Sequence, residues 1–206
     1  MCGRYSLLPE EAFGHILQAL LSDAGMALCT GEIFPTNVVP VIAMDGRPQA
    51  MKWGFSRPDM GGVVINARSE TVAQKPMFFR ALREGRCLIP ASGYFEWERK
   101  SIYKKKHRIS NHDAAPLYMA GLYRWEPNET LPRFVILTRQ ATEELKFLHD
   151  RMPVLLQADQ QRRWLKGDID VLSSPPGSLR CDAEPMPQEQ CMLDLSSLLP
   201  DAQQEH

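Results

Sequence analysis

No apolar run in this chain approaches the roughly 20 consecutive residues that a membrane-spanning helix requires. The opening stretch "MCGRYSLLPEEAF" has no basic segment leading into an apolar one, so it does not read as a secretory signal. Both absences point to a cytoplasmic protein. Cysteine is scarce: Cys2, Cys29, Cys87, Cys181 and Cys191 are scattered, with no C-x-x-C pair and no Cys/His cluster at metal-ligand spacing. That excludes a zinc module and a disulfide framework and leaves reduced thiols. An excess of either charge is missing too. With 24 Lys and Arg against 25 Asp and Glu the net charge is −1, so attraction to nucleic acid must come from a local patch. Gly-rich phosphate loops, the G-x-S-x-G elbow, paired glycosidase carboxylates and internal repeats are also absent.

What is there is an ordinary globular composition, 44% hydrophobic and 24% charged over 206 residues, enough for one well-buried core. Phe13, Ile16, Leu17, Leu20 and Leu21 recur with helical spacing over 9–21. Runs 38–44 and 49–55 read as two strands about a turn, 62–70 as a short β-rich segment, and 77–85 as a helix stopped by Gly85. Strand-like runs at 86–98, 105–110, 115–126 and 133–141 then alternate with turn signals, before helical pieces at 142–150, with Thr142 as N-cap, and 158–167. After Pro175 the chain turns Pro- and Gln-rich and reads as a frayed tail. The expected fold class is α+β: a mixed or antiparallel, β-rich distorted barrel with peripheral helices, in a single domain over 2–206.

Position 2 raises the sharpest chemical question. An initiator Met followed by a small residue is normally clipped, which would make Cys2 the first residue. It would then carry an α-amine of pKa about 7.7–8.0 beside a thiol of about 8.5. An internal cysteine has only the thiol, and a small buried residue near a terminus is the plain alternative. In "INARSE", Asn66, Arg68 and Glu70 share one face if the segment is extended, a pattern that a solvated strand also explains. Glu96 stands between Phe95 and Trp97, where desolvation would raise its pKa toward the range useful in acid–base work. His149, beside Asp150 and Arg151, has the side chain whose charge changes near neutral pH. A surface Glu and a capping His are the bland counterparts. "KKKHR" at 104–108 reads as a solvated hairpin tip, and Trp53-Gly54-Phe55 as packing.

Together, "MCGRYS", "WGF", "INARSET", "CLIPASGYFEW", "ILTRQA" and "LHDRMPV" resemble the blocks of the SOS-response-associated peptidase (SRAP) family, in the family's order. The resemblance implies a distorted barrel with a positively charged groove for single-stranded DNA, acting as an abasic-site processing protein. It implies Cys2 as the nucleophile that links covalently to an abasic site, with Asn66, Glu96 and His149 lining the pocket around the sugar. Arg4 and Arg68 would hold flanking phosphates, Thr138 and Arg151 would be further DNA-binding residues, and Trp97 would sit near the DNA kink. No cofactor or metal is called for, and a monomer without a membrane partner, nucleoid-associated when bound to damaged DNA, is expected.

The chemistry agrees with that implication. An abasic deoxyribose is partly an open-chain aldehyde, and a 1,2-aminothiol condenses with an aldehyde, through an iminium, to a five-membered thiazolidine. Lyase and self-processing peptidase activities belong to the same expectation. The chain also departs from the family pattern: Glu32 stands where many members carry an amide, and "SRPDMGG" after "WGF" lacks their paired tryptophans. An N-terminal-nucleophile thiol peptidase or amidohydrolase acting on its own Met1 would use the same Cys2. A non-covalent DNA-binding module with a structural Cys2 is a third reading. The phosphate-suited arginines favour DNA over a peptide.

Overall fold

The computed structural model describes residues 2–8, 28–57, 61–99 and 104–184; the helix expected over 9–21 and the end of the chain lie outside them. The first half runs β1 (Arg4–Leu7), β2 (Gly31–Ile33), β3 (Val38–Ile42), β4 (Pro48–Trp53), β5 (Phe55–Ser56), β6 (Val63–Val64), β7 (Asn66–Arg68) and helix α1 (Pro76–Glu84). Next come β8 (Arg86–Ala91), β9 (Gly93–Trp97), β10 (Lys106–Asn111), β11 (Leu117–Arg124), β12 (Arg133–Gln140), β13 (Arg151–Pro153), helix α2 (Ala158–Leu165) and β14 (Leu179–Ala183).

Five strands close into a ring. β11 pairs with β8, β8 with β3, β3 with β4, β4 with β12, and β12 returns to β11. The β12–β4 and β12–β7 pairings are parallel and the rest of the ring is antiparallel, so the barrel is mixed. A second sheet, in the order β14-β10-β9-β1-β2, is antiparallel throughout. Closure leaves the ring strands without free edges, and they are correspondingly apolar.

Period-2 alternation divides the core between the two faces of the ring. Ile89, Met119, Phe134 and Ile136 join one cluster with Tyr5, Leu7, Ile33, Tyr94 and Ile109 of the second sheet. Their neighbours Leu88, Ala120, Val135 and Leu137 join another with Phe78 and Leu82 of α1 and Trp164 of α2. β12 is therefore buried on both faces and reads as the continuous run "FVILT". Trp164 is fully buried and its indole N–H donates to Cys87 O at 3.0 Å. A side chain of that class stabilises the fold by about 1.5–3 kcal/mol through burial alone. Trp53 is a packing residue: it is fully buried, stacks on Phe134 at 6.2 Å and donates to Ile65 O at 3.1 Å.

Two glycines have specific reasons. Gly54 (φ 108°) turns the chain between β4 and β5, and Gly85 ends α1 where a Cβ would lie 2.1 Å from Tyr123 O. The structure also departs from the sequence reading. The run 86–98 is two strands that break at Ser92 and belong to different sheets, β8 to the barrel and β9 to the second sheet. The segment 142–150 holds a single 3-10 turn, Glu143–Leu145, and Thr142 makes no side-chain cap. Beyond Pro175 the chain is not simply frayed. Leu179–Ala183 adds to the edge of the second sheet, paired with β10.

Candidate active site

The site assembles where the start of the chain enters the second sheet. β1 is an inner strand between β2 and β9, so the short stretch that leads into it, Cys2 and Gly3, is drawn in with it. Cys2 is fully buried and its thiol lies 3.6 Å from Arg4 O. Asn66, the first residue of β7, reaches across and donates from Nδ2 to Cys2 O at 2.9 Å. β7 is held there by parallel pairing with β12, Asn66 opposite Ile136 and Arg68 opposite Thr138. The other end of the amide, Asn66 Oδ1, is buried with no hydrogen-bond partner among the described residues. A buried acceptor without a donor is costly and needs a partner.

Glu96 lies on β9, one residue past the Arg4–Phe95 pair and so level with the chain's start. Only 6% of it is exposed. Burial raises its carboxyl pKa above the ordinary range, and the α-ammonium at the chain's start draws it partly back. The Cys2 thiol is raised too, first by burial and then by the Glu96 charge, so it is held protonated. His149 arrives from the loop before β13. The Arg151 backbone N–H donates to its Nδ1 at 2.9 Å, and its Nε2 lies 2.5 Å from an Arg99 guanidinium nitrogen. Desolvation, the α-ammonium and Arg99 together lower the His149 pKa to about 4. At neutral pH His149 is an uncharged imidazole.

The residues assigned to phosphates divide. Among the described residues Arg68 is exposed on β7 with no side-chain hydrogen bond or ion pair. Arg4 is paired with Glu32 at 3.1 Å and its guanidinium lies over Phe34 (4.4 Å) and Trp97 (5.2 Å). Arg151 is held by both oxygens of Glu70 at 2.6 and 2.7 Å and by Thr138 O at 2.6 Å. Thr138 is fully buried, with its hydroxyl 3.4 Å from Ala67 O, so it braces Arg151 and does not face a ligand. Two residues escaped the sequence reading. Lys106, in the supposed hairpin tip, is on β10 with its ammonium 3.9 Å from the Phe95 ring centre and 2.9 Å from Glu32. The signal was strand alternation: Lys106 pairs with Trp97 and shares its side of the sheet. Arg99, which also pairs with Asp150, carried no sequence signal beyond its nearness to Glu96. Among the described residues no group of three or more His, Cys, Asp or Glu could hold a metal ion.

The site thus holds a buried thiol, a half-satisfied amide bonded to the Cys2 carbonyl, a carboxyl of raised pKa and an uncharged imidazole. Known proteins resemble this chain in sequence and in fold. It is 37% identical over 183 residues to the abasic site processing protein YoaM of Bacillus subtilis, covering 80% of this chain and 79% of that protein. It is 35% identical over 195 residues to the abasic site processing protein YoqW of the same organism, covering 84% and 85%. A crystal structure of a Bacteroides thetaiotaomicron protein superposes with a TM-score of 0.75 at 23% identity, over 88% of this chain and 91% of that one, and shows the shared fold. The match to the family description "SOS response associated peptidase (SRAP)" runs over residues 1–189, and the chain belongs to that family.

Proposed function

We propose that this protein processes abasic sites in single-stranded DNA by covalent capture through Cys2. The observation that carries the reading is the convergence of Asn66, Glu96 and His149 on the start of the chain, where Met1 removal would leave an α-amine beside the thiol.

The steps balance without a cofactor or an oxidant. Glu96, with its raised pKa, gives or takes the proton that opens the sugar ring to its aldehyde. The α-amine adds to that aldehyde, and the carbinolamine loses water to become an iminium, with Glu96 as the acid. The thiol then adds to the iminium carbon and its proton passes to the Glu96 carboxylate. The product is a thiazolidine, and one water is released per lesion captured. The thiol's raised pKa fits this order, because a cationic iminium beside it favours the thiolate only once the amine has reacted.

Asn66 fixes the Cys2 carbonyl and offers Oδ1 to the incoming amine or sugar hydroxyl. His149, uncharged and held by the Arg151 backbone N–H and the Arg99 guanidinium, is the second group suited to proton transfer at the sugar. Recognition runs through backbone and aldehyde, since an abasic site has no base edge to read. The relatives' names as abasic site processing proteins support the substrate class. Incubating the Met1-processed protein with single-stranded DNA carrying one abasic site tests the reading. A denaturant-stable adduct lighter by one water than the sum of its parts is expected. Trimming of Met1 without any adduct would replace the reading with a self-processing peptidase.

A further inference from the structure

Beside the capture site lies an arrangement that the mechanism above does not use. Glu32, in the middle of β2, places one carboxylate oxygen 3.1 Å from Arg4 Nη1 and the other 2.9 Å from Lys106 Nζ. The two cations come from different strands, β1 and β10, and the carboxylate spans them as a bidentate anion would. Aromatic rings flank the trio. Arg4 lies over Phe34 and Trp97, and Lys106 over Phe95 at 3.9 Å and Trp97 at 6.0 Å. Phe34 is 40% exposed beside the Arg4 guanidinium, so part of its ring is open to solvent. An exposed ring and a guanidinium plane next to a phosphate-sized anion are what a nucleotide of single-stranded DNA engages, the ring by stacking and the cations by charge.

We infer that Lys106 and Phe34 extend the DNA-binding surface expected of Arg4 and Trp97, and that Glu32 occupies the phosphate position between Arg4 and Lys106 until DNA arrives. Loading a strand is then an exchange of a carboxylate for a phosphate. Arg4 and Lys106 carry two positive charges, and Glu32 together with Glu184, 3.5 Å from Lys106, cancels both. A strand must therefore supply more than charge to win the position, and stacking on Phe34 supplies it. Non-specific anions are screened out, while a strand kinked into the site by its lesion is admitted. Hydrogen bonds from Lys106 and Arg4 outweigh desolvation and keep Glu32 ionised, so the placeholder is an anion at neutral pH.

The inference rests on the DNA reading above, and the test separates the two. Glu32→Gln and the shorter Glu32→Asn are compared with the unaltered protein on an intact single-stranded oligonucleotide, across a salt series. Both variants should bind about 3- to 10-fold more tightly at low salt. Their log–log salt dependence should steepen by roughly 0.7 for each additional phosphate that the freed cations neutralise. Adding Lys106→Gln to Glu32→Gln should remove most of the extra affinity. Unchanged or weaker binding by both variants, with the unaltered protein still binding, overturns the placeholder and leaves the DNA reading standing. Absence of binding by all of them overturns both.

Discussion

Asn66 Nδ2 donates to the Cys2 carbonyl at 2.9 Å, so the residue that opens β7 sets the pose of Cys2. A buried side-chain-to-backbone hydrogen bond of this kind is worth about 0.5–1.5 kcal/mol. Asn66→Ala should slow adduct formation by roughly 2- to 10-fold through lost positioning. Asn66→Asp should do worse, because it sets a carboxylate against the carbonyl oxygen. Single-turnover crosslinking of the two variants gives the ranking, and an Asp variant as fast as wild type would remove Asn66 from the site.

Cys2→Ala should abolish the denaturant-stable adduct and retain most reversible DNA binding. Cys2→Ser should not form the thiazolidine, and a retained Met1 should block it equally by masking the amine. Denaturing gel electrophoresis beside a binding titration reads both quantities. An undiminished adduct from Cys2→Ala would falsify the nucleophile assignment.

Glu96→Gln should lower the capture rate by about 100- to 10,000-fold, the usual contribution of a positioned acid or base. Affinity should be preserved. The same change should raise thermal stability at neutral pH. A carboxyl whose folded pKa lies above its unfolded value contributes stability below the unfolded pKa and loses it as pH rises through the folded one. A neutral amide of the same size avoids the cost of the buried carboxylate, so the variant's advantage in melting temperature should grow as pH rises. Slower chemistry with a higher melting temperature is the joint signature, and a lower one would place Glu96 in a structural role.

His149 should titrate near 4, well below the ordinary imidazole value of 6.5, and its ring-proton NMR shift against pH measures this. Because the folded pKa is depressed, the unfolded chain binds a proton that the folded one refuses between about 6.5 and 4. Stability should therefore fall as pH drops through that window, and His149→Gln should flatten the loss. Arg99→Ala should move the midpoint part of the way back, since desolvation is the larger cause.

Arg68 and Arg4 should differ in salt dependence. Arg68 has no anionic partner among the described residues, so Arg68→Ala should leave one phosphate without its cation and reduce the log–log slope by roughly 0.7. Arg4 is already paired with Glu32, so Arg4→Ala should change the slope less. Equal reductions would show that Glu32 does not compete.

The elements legible in the sequence were those with clean periodicity. α1 announces itself by its apolar stripe and Gly85, and β12 by a run too apolar to have a wet face. β14 was hidden by its Pro- and Gln-rich surroundings, although Leu179 and Cys181 alternate with Arg180 and Asp182 as an edge strand should. Cys2, Asn66, Glu96 and His149 were legible as residues capable of chemistry, and the structure adds the hydrogen bond from Asn66 to the Cys2 carbonyl. Thr138 was legible as a polar residue on a strand, but only its burial tells that it faces Arg151. Lys106 was lost because a basic run looks like solvent until the partner strand shows which rings lie across from it.

The seating of β1 between β2 and β9 also sets an order of events during synthesis. Its pairing partner Tyr94 is made some 90 residues after it, about 5–20 s later at ordinary translation rates. Until then the second sheet cannot close over Cys2, and the start of the chain stays open to the enzymes that trim nascent proteins. The topology thus gives any trimming of the start of the chain a window before Cys2 is buried.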